Sequence, residues 1–193
     1  MRLLFLAALI CFQSETATRF YPVLLKDNIV VPSFDVSKSV KLNDKEFVLI
    51  AKSKQQSGGK EGHRLLYLSA DSLSAALKPN YISTPKGEAY VYNPYFFKFS
   101  DEIILVVEEG YEYMSGVDIF RINNTKVDFL GYVPVAGSER NSIVEQMRLV
   151  RQLNSYQITF SGKIGYKIGT DNIIDGSKIV VNIDQGGLKI IEY

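Results

Sequence analysis

Residues 100–122, SDEIILVVEEGYEYMSGVDIFRI, decide the fold class of this chain. An apolar run from Glu102 to Val107 is followed by a loop with Gly110 and Gly116, and then by a second run from Val117 to Ile122. Both runs are rich in Val and Ile and are bounded by Gly, Asp and Ser, which is typical of strands joined by turns. The stretch therefore predicts two β-strands.

The same succession of turn, strand, loop and strand occurs twice more in the chain. The first strands of the three copies begin at Glu46, Glu102 and Tyr156, so they are 56 and 54 residues apart. The second strands follow Gly-containing loops and run from Leu65 to Leu68, Val117 to Ile122 and Ile179 to Ile183. Because a nearly constant spacing is harder to produce by chance than a single turn, it indicates an internal repeat.

Further strands complete each copy. The segments with strand composition are Tyr90 to Phe99, Lys126 to Val135 and Leu188 to Glu192. We therefore predict an all-β fold of about three four-stranded antiparallel meanders of about 55 residues, similar to the blades of a β-propeller. Three blades are fewer than the roughly four that usually close a propeller, so a β-sandwich is the alternative. Two segments with helical spacing, 71–77 and 141–152, predict short helices.

The N-terminal segment, residues 1–18, has the layout of a secretory signal peptide. Arg2 precedes ten apolar residues, Leu3 to Phe12, and a polar stretch follows. We expect a cut near Thr16 to Thr18, which leaves a single β domain over residues 19–193 and predicts a periplasmic or secreted protein. Lipid modification of Cys11 is the disfavoured alternative, because Ile10 is large where a small residue is expected.

The composition excludes several classes of protein. A net charge of +1 gives no electrostatic basis for binding nucleic acid. One Cys and one His exclude a zinc site built from those residues, and a cut after Thr18 would remove the Cys and with it any disulfide. No apolar run after the N-terminus approaches the roughly 20 residues of a membrane-spanning helix. No cofactor or metal motif is present, so none is predicted.

The meander topology places the loops at two ends. The first and third turns of an up-and-down unit share one end, and the second turn lies at the other. The long loops 53–63, 109–116 and 162–177 therefore share an end, and long loops on a rigid scaffold are where function concentrates. The candidate binding residues of this end are His63, Glu109, Tyr111, Glu112, Tyr113, Tyr166 and Asp171.

The chemistry of these candidates stays open. His63 is the only imidazole, but no nucleophile motif accompanies it, and a solvated loop histidine is the simpler interpretation. Glu109 and Glu112 belong to a run of carboxylates that could serve acid and base chemistry or form an exposed acidic loop. Six aromatic residues between Tyr90 and Phe99 could form a stacking platform or ordinary sheet packing, and Asn123-Asn124-Thr125 fits a tight turn better than a glycosylation site.

The sequence favours one function over two others. We predict an exported, non-catalytic β-protein that binds a protein or glycan partner through its long-loop end. The first rival is a secreted glycan hydrolase that uses Glu109, Glu112 or Asp171 as catalytic carboxylates. The second is a structural subunit whose repeats complete a larger sheet array in a homo-oligomer.

Overall fold

A computed structural model describes residues 14–55, 62–69, 78–87, 89–111, 115–137, 141–167 and 172–193. Their secondary structure is β-strand and turn, with two short 3-10 turns at Ile143–Gln146 and Gly176–Lys178 and no α-helix among the described residues. The prediction of an all-β protein built from antiparallel sheets is therefore confirmed.

Eighteen strands are described. In chain order they are β1 (Ser14–Thr16), β2 (Thr18–Phe20), β3 (Val23–Leu24), β4 (Phe34–Lys41), β5 (Glu46–Ser53), β6 (His63–Ser69), β7 (Tyr81–Ile82), β8 (Val91–Lys98), β9 (Ile103–Gly110), β10 (Ser115–Asn123), β11 (Lys126–Val133), β12 (Val135–Gly137), β13 (Met147–Gln152), β14 (Ser155–Phe160), β15 (Lys163–Tyr166), β16 (Ile173–Asp175), β17 (Ile179–Asp184) and β18 (Gly187–Glu192).

The strands form three five-stranded sheets and one small sheet. The first sheet has the order β3-β4-β5-β6-β7, the middle sheet β2-β8-β9-β10-β11 and the third sheet β1-β13-β14-β17-β18. The small sheet, β12-β15-β16, includes the hairpin that the chain inserts between β14 and β17. In each large sheet four strands follow one another as an antiparallel meander, and the fifth strand comes from the N-terminal segment.

The middle sheet is packed on both faces. Phe97 and Val106 face one apolar cluster, which they share with residues of the third sheet such as Ile158. Phe96 and Leu105 face a second cluster, which is completed by residues of the first sheet. The aromatic strand β8 is therefore mostly core on both faces, because its sheet is the central layer of the stack.

The connection between β3 and β4 covers the outer face of the first sheet. Leu49 and Leu66 of this face are fully buried together with Val31, which lies in the connection between β3 and β4. The third sheet is different, because its strand β14 alternates buried Tyr156, Ile158 and Phe160 with half-buried polar residues. The stack therefore has one covered outer face and one mixed, polar outer face.

Residues 14–24, here called the N-terminal ribbon, add a strand to each large sheet in turn. β1 pairs with β13, β2 with β8 and β3 with β4, all antiparallel. These partners are the first strands of the three meanders, so the ribbon covers their backbone hydrogen-bonding edges where it pairs with them. The ribbon thereby links the three layers along one side of the stack.

Two local predictions can be compared with the structure. The predicted helix over residues 141–152 is wrong, because only Ile143–Gln146 forms a 3-10 turn and Met147–Gln152 is strand β13. Pairing of β13 with both β1 and β14 outweighs the helical spacing of its apolar residues. The predicted helix over 71–77 lies outside the described residues. Asn124 and Thr125 form the turn between β10 and β11, with φ angles of 47° and 67°.

The three meanders have the same orientation. The turns between β8 and β9 and between β10 and β11 lie beside that between β4 and β5 around a cavity of about 700 Å³ at one end of the stack, here called the turn end. The longer connections after β5 and β9 and the hairpin inserted after β14 lie at the opposite, long-loop end. Among the described residues, none belongs to a helix with the length and apolar character to cross a membrane.

Candidate functional site at the long-loop end

Two carboxylates of the middle sheet are brought together by strand register. Glu109 near the end of β9 lies opposite Gly116 of β10, and Asp118 lies two residues further along β10 on the same face. The two residues are 1% and 0% exposed. Two buried carboxylates on one face require a compensating charge, because an isolated buried charge is strongly unfavourable.

Lys86 supplies that charge from the connection between β7 and β8, beside the first sheet. Its Nζ lies 2.7 Å from Oδ1 of Asp118 and 3.0 Å from Oε1 of Glu109. The backbone holds Lys86 in place, because its N–H donates to the carbonyl of His63 at 2.8 Å. The hydroxyl of Tyr111 donates to the carbonyl of Lys86 at 2.7 Å. Lys86, Glu109 and Asp118, here called the lysine cluster, thus join the first and middle sheets at the long-loop end.

Tyrosine side chains enclose the lysine cluster. The hydroxyl of Tyr92 lies 3.5 Å from Oδ2 of Asp118, and the ring centroid of Tyr132 lies 5.2 Å from the lysine Nζ. Tyr132 occupies the space above Gly116, where a Cβ would come within 2.1 Å of its hydroxyl. Glycine at position 116 is therefore what allows this ring to close over the ion pair.

The charges of the cluster are unequal in number, and the pKa values reflect this. The pKa of Glu109 is raised to about 7. Burial is the largest cause, and the neighbouring Asp118 raises the pKa by more than Lys86 lowers it. Burial alone would lower the pKa of Lys86, but its hydrogen bonds and ion pairs with both carboxylates raise it. With one lysine between two carboxylates, the cluster favours a proton on Glu109.

His63 lies beside the cluster on the first sheet. Its ring stacks on Tyr92 with 6.0 Å between centroids, and its buried Nδ1 has no hydrogen-bond partner among the described residues. Burial lowers the pKa of His63, and the positive charge of Lys52 lowers it further. Burial and the nearby lysine thus both disfavour the charged imidazolium form.

The structure unites three of the predicted residues. His63, Glu109 and Tyr111 are all in or beside the lysine cluster. Tyr166 is elsewhere, because it pairs with Val135 in the small sheet and is buried in the cluster between the middle and third sheets. Glu112, Tyr113 and Asp171 lie outside the described residues.

Lys86, Tyr92 and Tyr132 were not among the predicted site residues. Lys86 stands in a segment without periodicity and meets Asp118 32 residues further along the chain. Gly116 is the residue that could have indicated this site in the sequence. A glycine within a strand, opposite Glu109, suggests that another group approaches the backbone closely there.

A second ionic cluster lies at the turn end. Arg151 of β13 pairs with Glu15 of the N-terminal ribbon and with Asp101 and Glu102 of the turn between β8 and β9. The hydroxyl of Tyr156 also donates to Glu102, at 2.7 Å. Arg151 thus joins the third sheet, the middle sheet and the ribbon, as Lys86 joins the first and middle sheets.

The lysine cluster differs from a glycosidase site in the access to its carboxylates. Its two carboxylates are almost inaccessible and are already bound to Lys86, whereas glycoside hydrolysis needs two carboxylates that reach the substrate. Among the described residues, no group of three or more His, Cys, Asp or Glu side chains could hold a metal ion.

The fold and this site define an all-β protein of stacked antiparallel sheets with a charged, tyrosine-lined cluster between two of them. No protein-family model, curated protein or solved structure matches the chain. The function is therefore argued from the site itself.

Proposed function

We propose that this is an exported, non-catalytic β-protein that binds a protein or glycan partner through its long-loop end. The observation that carries the proposal is the lysine cluster, which fixes the first and middle sheets to each other where β9 ends and β10 begins. Loops on a rigid base lose less entropy when they bind, so such a base favours a binding surface.

Tyr90 is the best-exposed anchor on this end. Its side chain is 76% exposed, while its backbone N–H donates to the carbonyl of Gly110 at 2.8 Å. A fixed backbone with an exposed tyrosine ring suits both classes of partner, because tyrosine offers a flat apolar face with a polar tip.

The hydrolase rival rests on one specific observation, the raised pKa of Glu109. A carboxyl that keeps its proton near pH 7 has the property of a general acid. Against this interpretation, the side chain is only 2% exposed and contacts Lys86 and Asp118 rather than an open cleft. The raised pKa is accounted for by burial beside a second carboxylate.

We also propose that the three meanders are a structural repeat of about 55 residues with blade-like organisation. Its support is the same strand order in each large sheet and the face-to-face packing of the three layers. The polar outer face of the third sheet is the place where a further layer from a second copy would stack in an oligomeric assembly.

Binding at the long-loop end is tested by comparing Tyr90→Ala with Leu153→Ala. Leu153 is 71% exposed and lies in the turn between β13 and β14, at the opposite end. On a glycan panel, and in photo-crosslinking from positions 90 and 153 within the exported fraction, we expect ligand or crosslink to depend on position 90 alone. Equal behaviour of the two positions, or hydrolysis of a panel glycan that Glu109→Gln abolishes in a folded protein, would overturn the proposal.

Export is tested by the N-terminal residue of the exported chain. A cut after Thr18 would remove β1, including Glu15 and its ion pair with Arg151. We therefore expect mass spectrometry of the exported protein to find a chain that begins at or before Ser14. An N-terminus at residue 19 would show that β1 is dispensable, and retention of the protein inside the cell would contradict export.

A further inference from the structure

A groove between the first and middle sheets lies apart from the lysine cluster. It has a volume of about 350 Å³ and is formed where the N-terminal ribbon crosses from β8 to β4. Its walls are mainly apolar, with Phe20 and Leu24 of the ribbon and Pro94 and Phe96 of the middle sheet. This volume is at the small end of the range of about 300–1,000 Å³ that is typical of ligand sites.

Two cations line the groove, and no acidic residue does. These are Arg19, whose guanidinium carbon lies 4.9 Å from the ring centroid of Tyr95, and Lys38, which donates to the side-chain oxygen of Asn93. No carboxylate among the described residues forms an ion pair with either of them. Burial lowers the pKa of Lys38, and no neighbouring carboxylate opposes that effect.

Lys38 differs from Lys86 and Arg151, the two cations that join neighbouring sheets through ion pairs. Each of those inter-sheet cations meets two or more carboxylates, whereas Lys38 also bridges the first and middle sheets but meets only a neutral amide. Desolvating a cation without a counter-charge costs free energy, which a bound anion would recover.

We propose that this groove binds a small organic anion with an apolar body, held by Lys38 through its anionic group. The apolar part lies against Phe20, Phe96 and Pro94, and the aromatic edges favour a flat ring over an open chain. This site is independent of the proposed partner binding at the long-loop end, since none of its lining residues belongs to the lysine cluster.

The proposal is tested with a pair of fluorescent probes that differ in charge. Anilinonaphthalene sulfonate carries a sulfonate beside its aromatic rings, and phenylnaphthylamine has the same ring system without it. We expect the anionic probe to bind the folded protein with one-to-one stoichiometry and to bind more weakly as salt is added. We expect the neutral probe to bind at least about tenfold more weakly, since a charge-assisted contact is lost.

Lys38→Gln locates the site, with Lys189→Gln as the control. Lys189 is an exposed lysine on β18 of the third sheet. Lys38→Gln should weaken the binding of the anionic probe by about tenfold and leave the binding of the neutral probe unchanged, and the control should change neither. If Lys38→Gln fails to fold, the native protein decides, because a site with a cation binds the anionic probe more tightly than the neutral one and loses that preference as salt is added.

Competition then identifies the apolar body. Displacement of the anionic probe by naphthoate but not by decanoate supports a flat aromatic anion as the ligand. Displacement of the probe by decanoate alone would indicate an acyl chain instead and would contradict the aromatic preference. Equal binding of both probes, or no effect of Lys38→Gln in a folded protein, would overturn the proposal.

Discussion

Replacing Glu109 by Gln should make this protein more stable at neutral and alkaline pH. The native carboxyl has its pKa raised to about 7 from the ordinary value of 4.5, mainly by burial. Between those two values the folded state therefore binds more protons than the unfolded state, and the stability of the fold falls as the pH rises. At about 1.4 kcal/mol per pKa unit, the full loss is about 3 kcal/mol.

Glutamine at position 109 mimics the protonated carboxyl. Its amide N–H groups can donate to Asp118 while its oxygen still accepts from Lys86, so the variant keeps both contacts without a second negative charge. We expect Glu109→Gln to match the native protein at about pH 4 and to exceed it by about 3 kcal/mol at about pH 8.

Urea denaturation at a series of pH values measures this difference. Glu145→Gln is the matched control, because Glu145 is an exposed glutamate in the 3-10 turn before β13 and should leave the pH dependence unchanged. Parallel stability curves for the native and Glu109→Gln proteins would refute the reasoning, since they would show that the folded state does not hold a proton on this carboxyl.

Two further predictions concern the same end of the stack. Lys86→Met leaves Asp118 buried without its cation and should cost about 3–5 kcal/mol in urea denaturation, part of which an added Asp118→Asn should restore. If the double variant recovers none of the lost free energy of unfolding, Lys86 stabilises the fold by packing alone. Gly116→Ala places a methyl group 2.1 Å from the Tyr132 hydroxyl and should destabilise the fold by about 1–3 kcal/mol or more. A double-mutant cycle with Tyr132→Ala should show strong coupling between the two positions, and strictly additive effects would contradict the contact.

The apolar patterns of single strands predict which sheets are covered on both faces. Strands β5 and β9 contain the unbroken apolar runs FVLIA and IILVV, which suit sheets covered on both faces. Strand β14 reads SYQITF and buries alternate residues, which suits a sheet with one face toward water. These patterns distinguish the first and middle sheets from the third, because apolar residues point to both faces only where both faces are covered.

The N-terminal ribbon could not have been predicted in this way. Its three strands are two or three residues long, too short for either alternation or helical spacing to appear. Their backbone groups find partners only because β13, β8 and β4 present open edges side by side, which is a property of the assembled stack.

For the candidate site too, the sequence pattern predicts some residues, and others are brought together only by the packing of the sheets. Meander topology was enough to place Glu109, Tyr111 and His63 at one end, because turn order alone decides which loops share it. Lys86 and Tyr132 required the packing of one sheet on another, and no residue near either of them in sequence indicates that contact.

The position of the two ionic clusters explains how this stack can be rigid without a disulfide among its described residues. Apolar side chains hold the centre of the layers, where Leu105 and Ile104 face opposite neighbours. Near the two ends Lys86 and Arg151 bind the middle sheet to the first and third sheets. Charged contacts that also satisfy hydrogen bonds fix orientation more strictly than apolar contacts, which tolerate sliding. Lys86 therefore holds the first and middle sheets in register where β9 ends and β10 begins.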